Sequence, residues 1–182
     1  MGVVGSQVHA ARPAVELRIK WPNDVYTADG LKVGGILCQS TYMSGHFDVT
    51  IGIGLNVSNS APTTCLNDLL PPGQQQPRFT REHVLADFLS TFERYFEQFR
   101  EEGFRPFLSQ YLAAWLHSEQ AVSLKRSPEE PTPKQVVVQT ISLDTGFLVA
   151  RDAADPGVSY ELHPDGHSMD WMAGLLVYKV IA

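Results

Sequence analysis

Cysteine is almost absent: Cys38 and Cys65 are the only two in 182 residues. That excludes a disulfide scaffold and fits a reducing compartment, so the expected location is cytoplasmic, with mitochondria as the other candidate even though no transit peptide is evident. Long apolar runs are also missing. Nothing approaches the roughly 20 residues a membrane span requires, and no cationic stretch leads into an apolar one as a secretory signal would. Positive charge is scarce, with 14 Lys and Arg against 20 Asp and Glu for a net charge of -6. Such a balance argues against a sequence-independent nucleic-acid or anionic-membrane surface. The six histidines have no thiolate pair beside them and build no metal site. His163 and His167 flank Pro164-Asp165-Gly166 and read as turn histidines. No serine or cysteine nucleophile stands near a base, and no G-x-G-x-x-G opens a helix.

What remains is a composition of 43% hydrophobic and 19% charged residues, ordinary for a globular chain holding one domain or a domain with a small appendage. Met1-Gly2-Val3-Val4-Gly5-Ser6 matches the N-myristoylation pattern at Gly2. No polybasic patch or nearby cysteine supplies a second anchoring signal, so residues 1–14 are read as a start lying outside the fold.

Glu16 to Lys20 alternates like a half-buried strand and is stopped by Pro22-Asn23. Val25-Tyr26, the Asp29-Gly30 turn and Val33 to Gln39 read as a hairpin. Phe47 to Val57 follows as another strand, entered through Ser44-Gly45-His46. Strands joined by tight turns predict an antiparallel or mixed sheet. A polar loop covers Ser58 to Phe79, with a short turn at Leu66-Leu70. The period then becomes helical: Val84, Leu85, Phe88, Leu89, Phe92, Tyr95, Phe96 and Phe99 share one stripe, with Thr80 as N-cap and Gly103 as the stop. A second helix starts near Pro106 and carries Phe107, Leu108, Tyr111, Leu112, Trp115 and Leu116 on its apolar face. Beyond a boundary near Ser118, short β-rich segments at Ala121-Leu124, Gln135-Ser142, Gly146-Ala150, Val158-Leu162 and Leu175-Val180 predict a small barrel or curled sheet. Ser127 to Pro133 reads as a surface loop, and no internal repeat is visible.

The chemistry-bearing stretch is Lys20-Trp21-Pro22-Asn23-Asp24 followed by Lys32-Val33-Gly34-Gly35-Ile36-Leu37. Lysine is rarely buried without a partner, and Gly-Gly in an apolar run gives up packing and backbone entropy. A ligand approaching the backbone, and an anionic one, accounts for both. Lys32 with open amides at Gly34-Gly35-Ile36 suits a carboxylate being activated on a phosphate. A solvated lysine beside a Gly-Gly bulge accounts for the same spacing. Asn23 and Asp24 project from a strand end, either to meet phosphates and Mg²⁺ or as an Asx-turn. In Gly52-Ile53-Gly54-Leu55-Asn56 the glycines admit a flat ligand or close sheet–helix packing, and Asn56 could read an adenine edge.

In order, K-W-P-N-D-V-Y, K-V-G-G-I-L and I-G-I-G-L-N-V-S-N resemble the biotin–protein ligases, from about Leu17 to the C-terminus. The tail H-P-D-G-H-S-M-D makes the resemblance specifically one to the animal holocarboxylase synthetases. The resemblance implies a class II synthetase-like α+β catalytic domain, its mixed or antiparallel sheet packed with helices, here partial over residues 15–118. A small SH3-like β domain over 119–182 follows. It also implies the reaction: biotin and ATP, with Mg²⁺, form biotinoyl-AMP, and biotin passes to a lysine on the carboxyl-carrier domains of biotin-dependent carboxylases. By position, Lys32 matches the lysine that contacts the biotin carboxylate and adenylate phosphate. Gly34, Gly35 and Ile36 match the biotin-pocket backbone and Asn56 the adenine contact. Lys20, Asn23 and Asp24 match the cluster beside the nucleotide, Asp24 being the candidate Mg²⁺ contact. The family's upstream Gly-Arg-rich loop has no counterpart around Arg12 and Arg18. The expectation is therefore the C-terminal part of a ligase, impaired by lost phosphate donors worth about 1.5–3 kcal/mol each, with a bared sheet face and room for a homodimer. A catalytically inactive fragment that binds carrier domains is the alternative from another class. A lipoate–protein ligase would share the fold, but the K-W-P-N-D string and C-terminal domain count against it.

Overall fold

The computed structural model describes residues 15–72, 78–125, 132–162, 167–170 and 175–178. The start up to residue 14, including Gly2 and Arg12, lies outside them, as do most of the Ser127–Pro133 loop and the Pro164-Asp165-Gly166 turn. The chain divides into two compact units. One runs to Leu17 and from Asp24 to Arg94; the other comprises Arg18–Asn23 and Tyr95 onward. Strand β1 (Leu17–Lys20) and helix α1 (Arg81–Glu102) each straddle that division.

In the first unit β2 (Asp24–Thr27), β3 (Lys32–Met43) and β4 (His46–Leu55) form the expected antiparallel meander. Ser44 and Gly45 both have positive φ, 54° and 86°, the backbone a two-residue hairpin loop demands. Register places Ile36, Cys38, Ser40 and Tyr42 beside Ile53, Ile51, Val49 and Phe47 on one face. Period-two alternation thus produces the apolar face it encodes. That face is uncovered: Ile36, Tyr42, Phe47, Val49, Ile51 and Ile53 are 37–68% exposed. The core of this unit lies at the other end of the hairpin, where Val33, Val57 and Leu66 are buried against Leu17, Leu55, Phe79 and Val84. Asn67 ties it together. Its side chain bonds Ser58 Oγ and both the N–H and C=O of Phe79, so a buried amide is satisfied throughout.

Helix α1 begins where Thr80 Oγ1 accepts the His83 N–H at 3.3 Å and ends where Gly103, at φ 68°, donates back to Phe99 O. These are the expected N-cap and left-handed stop. Apart from Val84 on the first unit's core and Tyr95 against Phe107, the expected packing is not observed. No α1 residue is buried, and Leu85, Phe88, Leu89, Phe92, Phe96 and Phe99 are 36–57% exposed. Periodicity specifies which face wants a cover; it does not supply one.

The second helix is shorter than expected. A 3₁₀ turn (Arg105–Phe107) leads into α2 (Leu108–Ala114), and Trp115 turns extended at φ −84°, ψ 165°. Trp115 leaves the helix because its indole is buried in the second unit's core and bonds Ser118 Oγ at 2.6 Å. The six-stranded sheet that follows has the order β8-β7-β6-β5-β10-β9, with β5 (Ala121–Lys125), β6 (Lys134–Ile141), β7 (Leu148–Asp152), β8 (Ser159–Leu162), β9 (His167–Asp170) and β10 (Leu175–Tyr178). All pairs are antiparallel except β5–β10. Val122, Leu124, Val136, Val138, Leu148, Ala150 and Leu162 fill its core. His167, expected in a turn, opens β9 instead, opposite Tyr178. Four mostly polar residues give too little alternation to reveal a strand that exists by pairing with β10.

A small polar network fastens three of these strands. Lys134 Nζ donates to Tyr160 Oη at 3.0 Å, and Tyr160 Oη donates to Asp152 Oδ2 at 3.0 Å. Asp152 Oδ1 accepts the Ala154 N–H at 2.8 Å. The Ala154 amide first, then the Tyr160 hydroxyl, hold the Asp152 carboxyl below its usual range. A depressed folded pKa contributes stability above the unfolded value and loses it as pH falls. The wild-type chain should therefore lose thermal stability below about pH 4 more steeply than Asp152→Asn, which should itself melt lower at neutral pH. Melting curves across that range check this; parallel curves would contradict it.

Candidate functional site

Lys32 stands where β2 returns into β3, and one residue shapes that return. Thr27 is buried; its hydroxyl accepts the Leu31 N–H at 2.9 Å, and its backbone N–H donates to Leu31 O at 2.9 Å. Gly30, at φ 87°, donates to Thr27 O. With the turn braced, Val33 enters the core and Lys32, its neighbour, faces away. The Lys32 ammonium reaches Asp24 Oδ1 at 2.7 Å, with side chains 45% and 21% exposed. An ion pair this exposed adds little stability. Its consequence is orientation: an anion on β2 holds a cation at the mouth of the hairpin.

Gly34 and Gly35 follow. Both are paired on two sides, with Val25 and Asp24 of β2 and with Leu55 and Gly54 of β4. Their amides therefore belong to the sheet ladder, contrary to the expectation of open N–H donors. At Gly34 the absence of a side chain is required, because a Cβ would collide with the Gly54 carbonyl oxygen and crowd Leu55. Gly34→Ala should destabilise the chain by about 1–3 kcal/mol, read as a lower urea midpoint; an unchanged midpoint would show that β4 can move aside.

Asn56 closes the same end of the hairpin. Its N–H donates to Val33 O at 2.9 Å. Its side-chain amide donates to Thr63 Oγ1 and Thr64 O, and its Oδ1 accepts from Asn59 Nδ2. The residue expected to face an adenine spends both amide hydrogens on its own loop. One carbonyl lone pair remains, since that oxygen can accept twice.

Lys20 and Asn23 belong to the second unit. There the segment is held rung by rung along residues 113–117. Arg18 Nη1 donates to Ala113 O, Ile19 bridges Trp115 in parallel, and the Leu116 N–H donates to Ile19 O. The Trp21 N–H donates to His117 Nε2 at 3.0 Å, and the Trp21 indole N–H to Gly146 O at 3.0 Å. Trp21 packs as expected and is buried with Trp115 in the core. Pro22 and Asn23 are exposed; Lys20 is half-buried.

Sequence reading found Lys32, Asp24 and Trp21 but passed over Thr27 and His117. Thr27 sits four residues before Leu31 with no motif to mark it. His117 lies 96 residues from its partner, beyond any local pattern. Among the described residues no group of three or more His, Cys, Asp or Glu could hold a metal, and no helix is long and apolar enough to cross a membrane.

Residues 7–56 match the Biotin/lipoate A/B protein ligase family. Biotin--protein ligase 2 of Arabidopsis thaliana is 44% identical over 169 residues, covering 91% of this chain and 50% of that protein. The chloroplastic Biotin--protein ligase 1 of the same plant is 43% identical, covering 92% and 45%. The Homo sapiens Biotin--protein ligase is 37% identical, covering 91% and 22%. The chain thus spans about half the length of the plant relatives, or less. The apo structure of a biotin protein ligase from Aquifex aeolicus superposes with a TM-score of 0.59 at 22% identity, covering 80% of this chain and 62% of that one. The same enzyme in complex with biotin and ATP gives 0.54 at 20%. These structures establish a shared fold: mixed α and β, with antiparallel sheets.

Proposed function

Because the chain belongs to the biotin–protein ligase family, we propose that it contributes the carboxylate-activating part of such a ligase, with Lys32 as its charged centre. The biotin carboxylate attacks the α-phosphorus of ATP and pyrophosphate leaves, giving biotinoyl-AMP. The ε-amine of an acceptor lysine on a carboxylase carrier domain then attacks the acyl carbon, loses a proton to solvent and releases AMP. In both steps negative charge accumulates on oxygens around the acyl–phosphate linkage, where a fixed ammonium lowers the barrier. The observation that carries this reading is the Lys32–Asp24 pair at the hairpin mouth, beside the Gly34-Gly35 run of β3. Asp24 keeps the cation in place, and Thr27 keeps the turn that delivers it.

Biotin is assigned to the face of Lys32, Gly34, Gly35 and Ile36. Adenine is assigned to Asn56 through its remaining carbonyl lone pair; Lys20, Asn23 and Asp24 are each assigned to the nucleotide by their match in sequence alone. Mg²⁺ carried on the nucleotide phosphates would find in Asp24, which is paired with Lys32, one protein carboxylate, and would supply neutralisation of phosphate charge. Residues 15–118 are assigned to a class II synthetase-like catalytic part and 119–182 to an SH3-like β domain, with free Cys38 and Cys65 consistent with a reducing, cytoplasmic setting.

The test is transfer itself. Incubated with ATP, biotin and a purified carrier domain, the chain should give a streptavidin-reactive acceptor that requires both small molecules. Labelling with lipoate in place of biotin would favour the lipoate ligase, and no labelling would favour the inactive fragment.

A further inference from the structure

Among the described residues, His117 is the most buried polar side chain that the proposed chemistry leaves unused, with 1% of its surface exposed. Its Nε2 accepts the Trp21 backbone N–H at 3.0 Å. With that nitrogen an acceptor, the ring hydrogen must sit on Nδ1, which faces Gln120 Oε1 at 2.8 Å. The Trp115 ring stands edge-on to the imidazole, centroids 5.6 Å apart at 89°. The histidine is therefore fixed in position, tautomer and orientation before it meets the chain it holds. That chain is the turn directly after β1, carrying Lys20 on one side of Trp21 and Asn23 two residues beyond it. Burial pushes the imidazole pKa down, against the opposing Gln120 hydrogen bond and with the help of the Lys20 ammonium. A neutral ring is what an acceptor at Nε2 requires. Beyond Asn23 the chain passes into the other unit.

We propose that His117 is a positioning residue for nucleotide binding: by accepting the Trp21 N–H it fixes the Lys20–Asn23 segment that meets ATP. This rests on the ligase reading, which assigns Lys20 and Asn23 to the nucleotide and the β3 glycine face to biotin. It adds that the β-rich second unit, through one neutral imidazole, sets the affinity for one substrate and leaves the other alone. A histidine acting only as core filler would affect both substrates equally, through stability.

The experiment compares the full chain with His117→Leu, which keeps bulk but has no acceptor, and His117→Gln, whose carbonyl reaches the depth of Nε2. ATP and biotin affinities are measured by calorimetry, the Trp21 amide by NMR hydrogen exchange, and the wild-type tautomer by imidazole ¹⁵N shifts. The expected result is an Nδ1–H tautomer, faster Trp21 exchange in His117→Leu, and ATP binding weakened roughly tenfold to a hundredfold with biotin affinity within about twofold. His117→Gln should recover most of the ATP affinity, and decides alone if His117→Leu fails to fold. Unchanged ATP affinity in a folded His117→Leu, or equal losses for both substrates with no recovery in His117→Gln, would overturn the proposal. A wild-type chain that binds biotin but no ATP removes the nucleotide role outright. A wild-type chain that binds neither refutes the ligase reading, and unchanged Trp21 exchange in His117→Leu then refutes the anchoring as well.

Discussion

Lys32→Ala is expected to slow biotinoyl-AMP formation by about a hundredfold to a thousandfold, the range seen when one preorganised electrostatic group is removed from a developing oxyanion. Folding should be untouched, because the side chain is 45% exposed and its pair with Asp24 is a surface one. Lys32→Arg should recover only part of the rate, since a planar fork does not replace a compact point charge. Asp24→Asn leaves the ammonium in place but frees it to wander, and a loss of about tenfold is expected. Pyrophosphate release in single turnovers measures all three. Equal rates for Lys32→Ala and wild type, at equal melting temperature, would remove Lys32 from the chemistry.

Trp21→Ala should produce the largest loss of stability of any single change in the second unit, about 3–5 kcal/mol. The indole is 4% exposed in a cluster with Trp115, Val122, Val138 and Leu148. Truncation opens a cavity that the β6–β7 framework cannot close by collapsing, and strips Gly146 O of its donor. Set against a typical domain stability of about 5–15 kcal/mol, that is enough to unfold much of the unit at physiological temperature. Trp21→Phe isolates the indole bond. It keeps most of the buried area, loses the N–H to Gly146, and should lose only about 1–2 kcal/mol. Urea unfolding followed by circular dichroism reads both. A Trp21→Ala midpoint indistinguishable from wild type would mean that the segment is held by its backbone rungs alone.

The parts of this molecule legible in sequence are those with local causes. Asp29-Gly30 and Ser44-Gly45 announced turns because only particular residues accept their backbone angles, and the chain turns there. Thr80 and Gly103 bracketed α1 for the same reason. Lys32 stood out because an ammonium amid glycines is a poor choice for a core, and it emerges at the hairpin mouth on Asp24. What escaped notice depends on distant partners. Trp115 belonged to the helical stripe by spacing, but burial beside Trp21 drew it out of α2. His117 carried no signal because its meaning lies in an amide 96 residues away. The glycine amides were expected to be open, and two flanking strands engaged them. The apolar stripe of α1 has a local cause in its helical spacing, but nothing local says whether a cover exists.

Calorimetric comparison of biotin with its neutral amide, for wild type and Lys32→Ala, tests the assignment of Lys32 to the vitamin carboxylate without requiring turnover. Wild type should bind biotin at least about tenfold more tightly than the amide, and Lys32→Ala should bind the two nearly alike. A preference of the same size in both proteins, or a wild-type chain that does not distinguish acid from amide, would contradict the account.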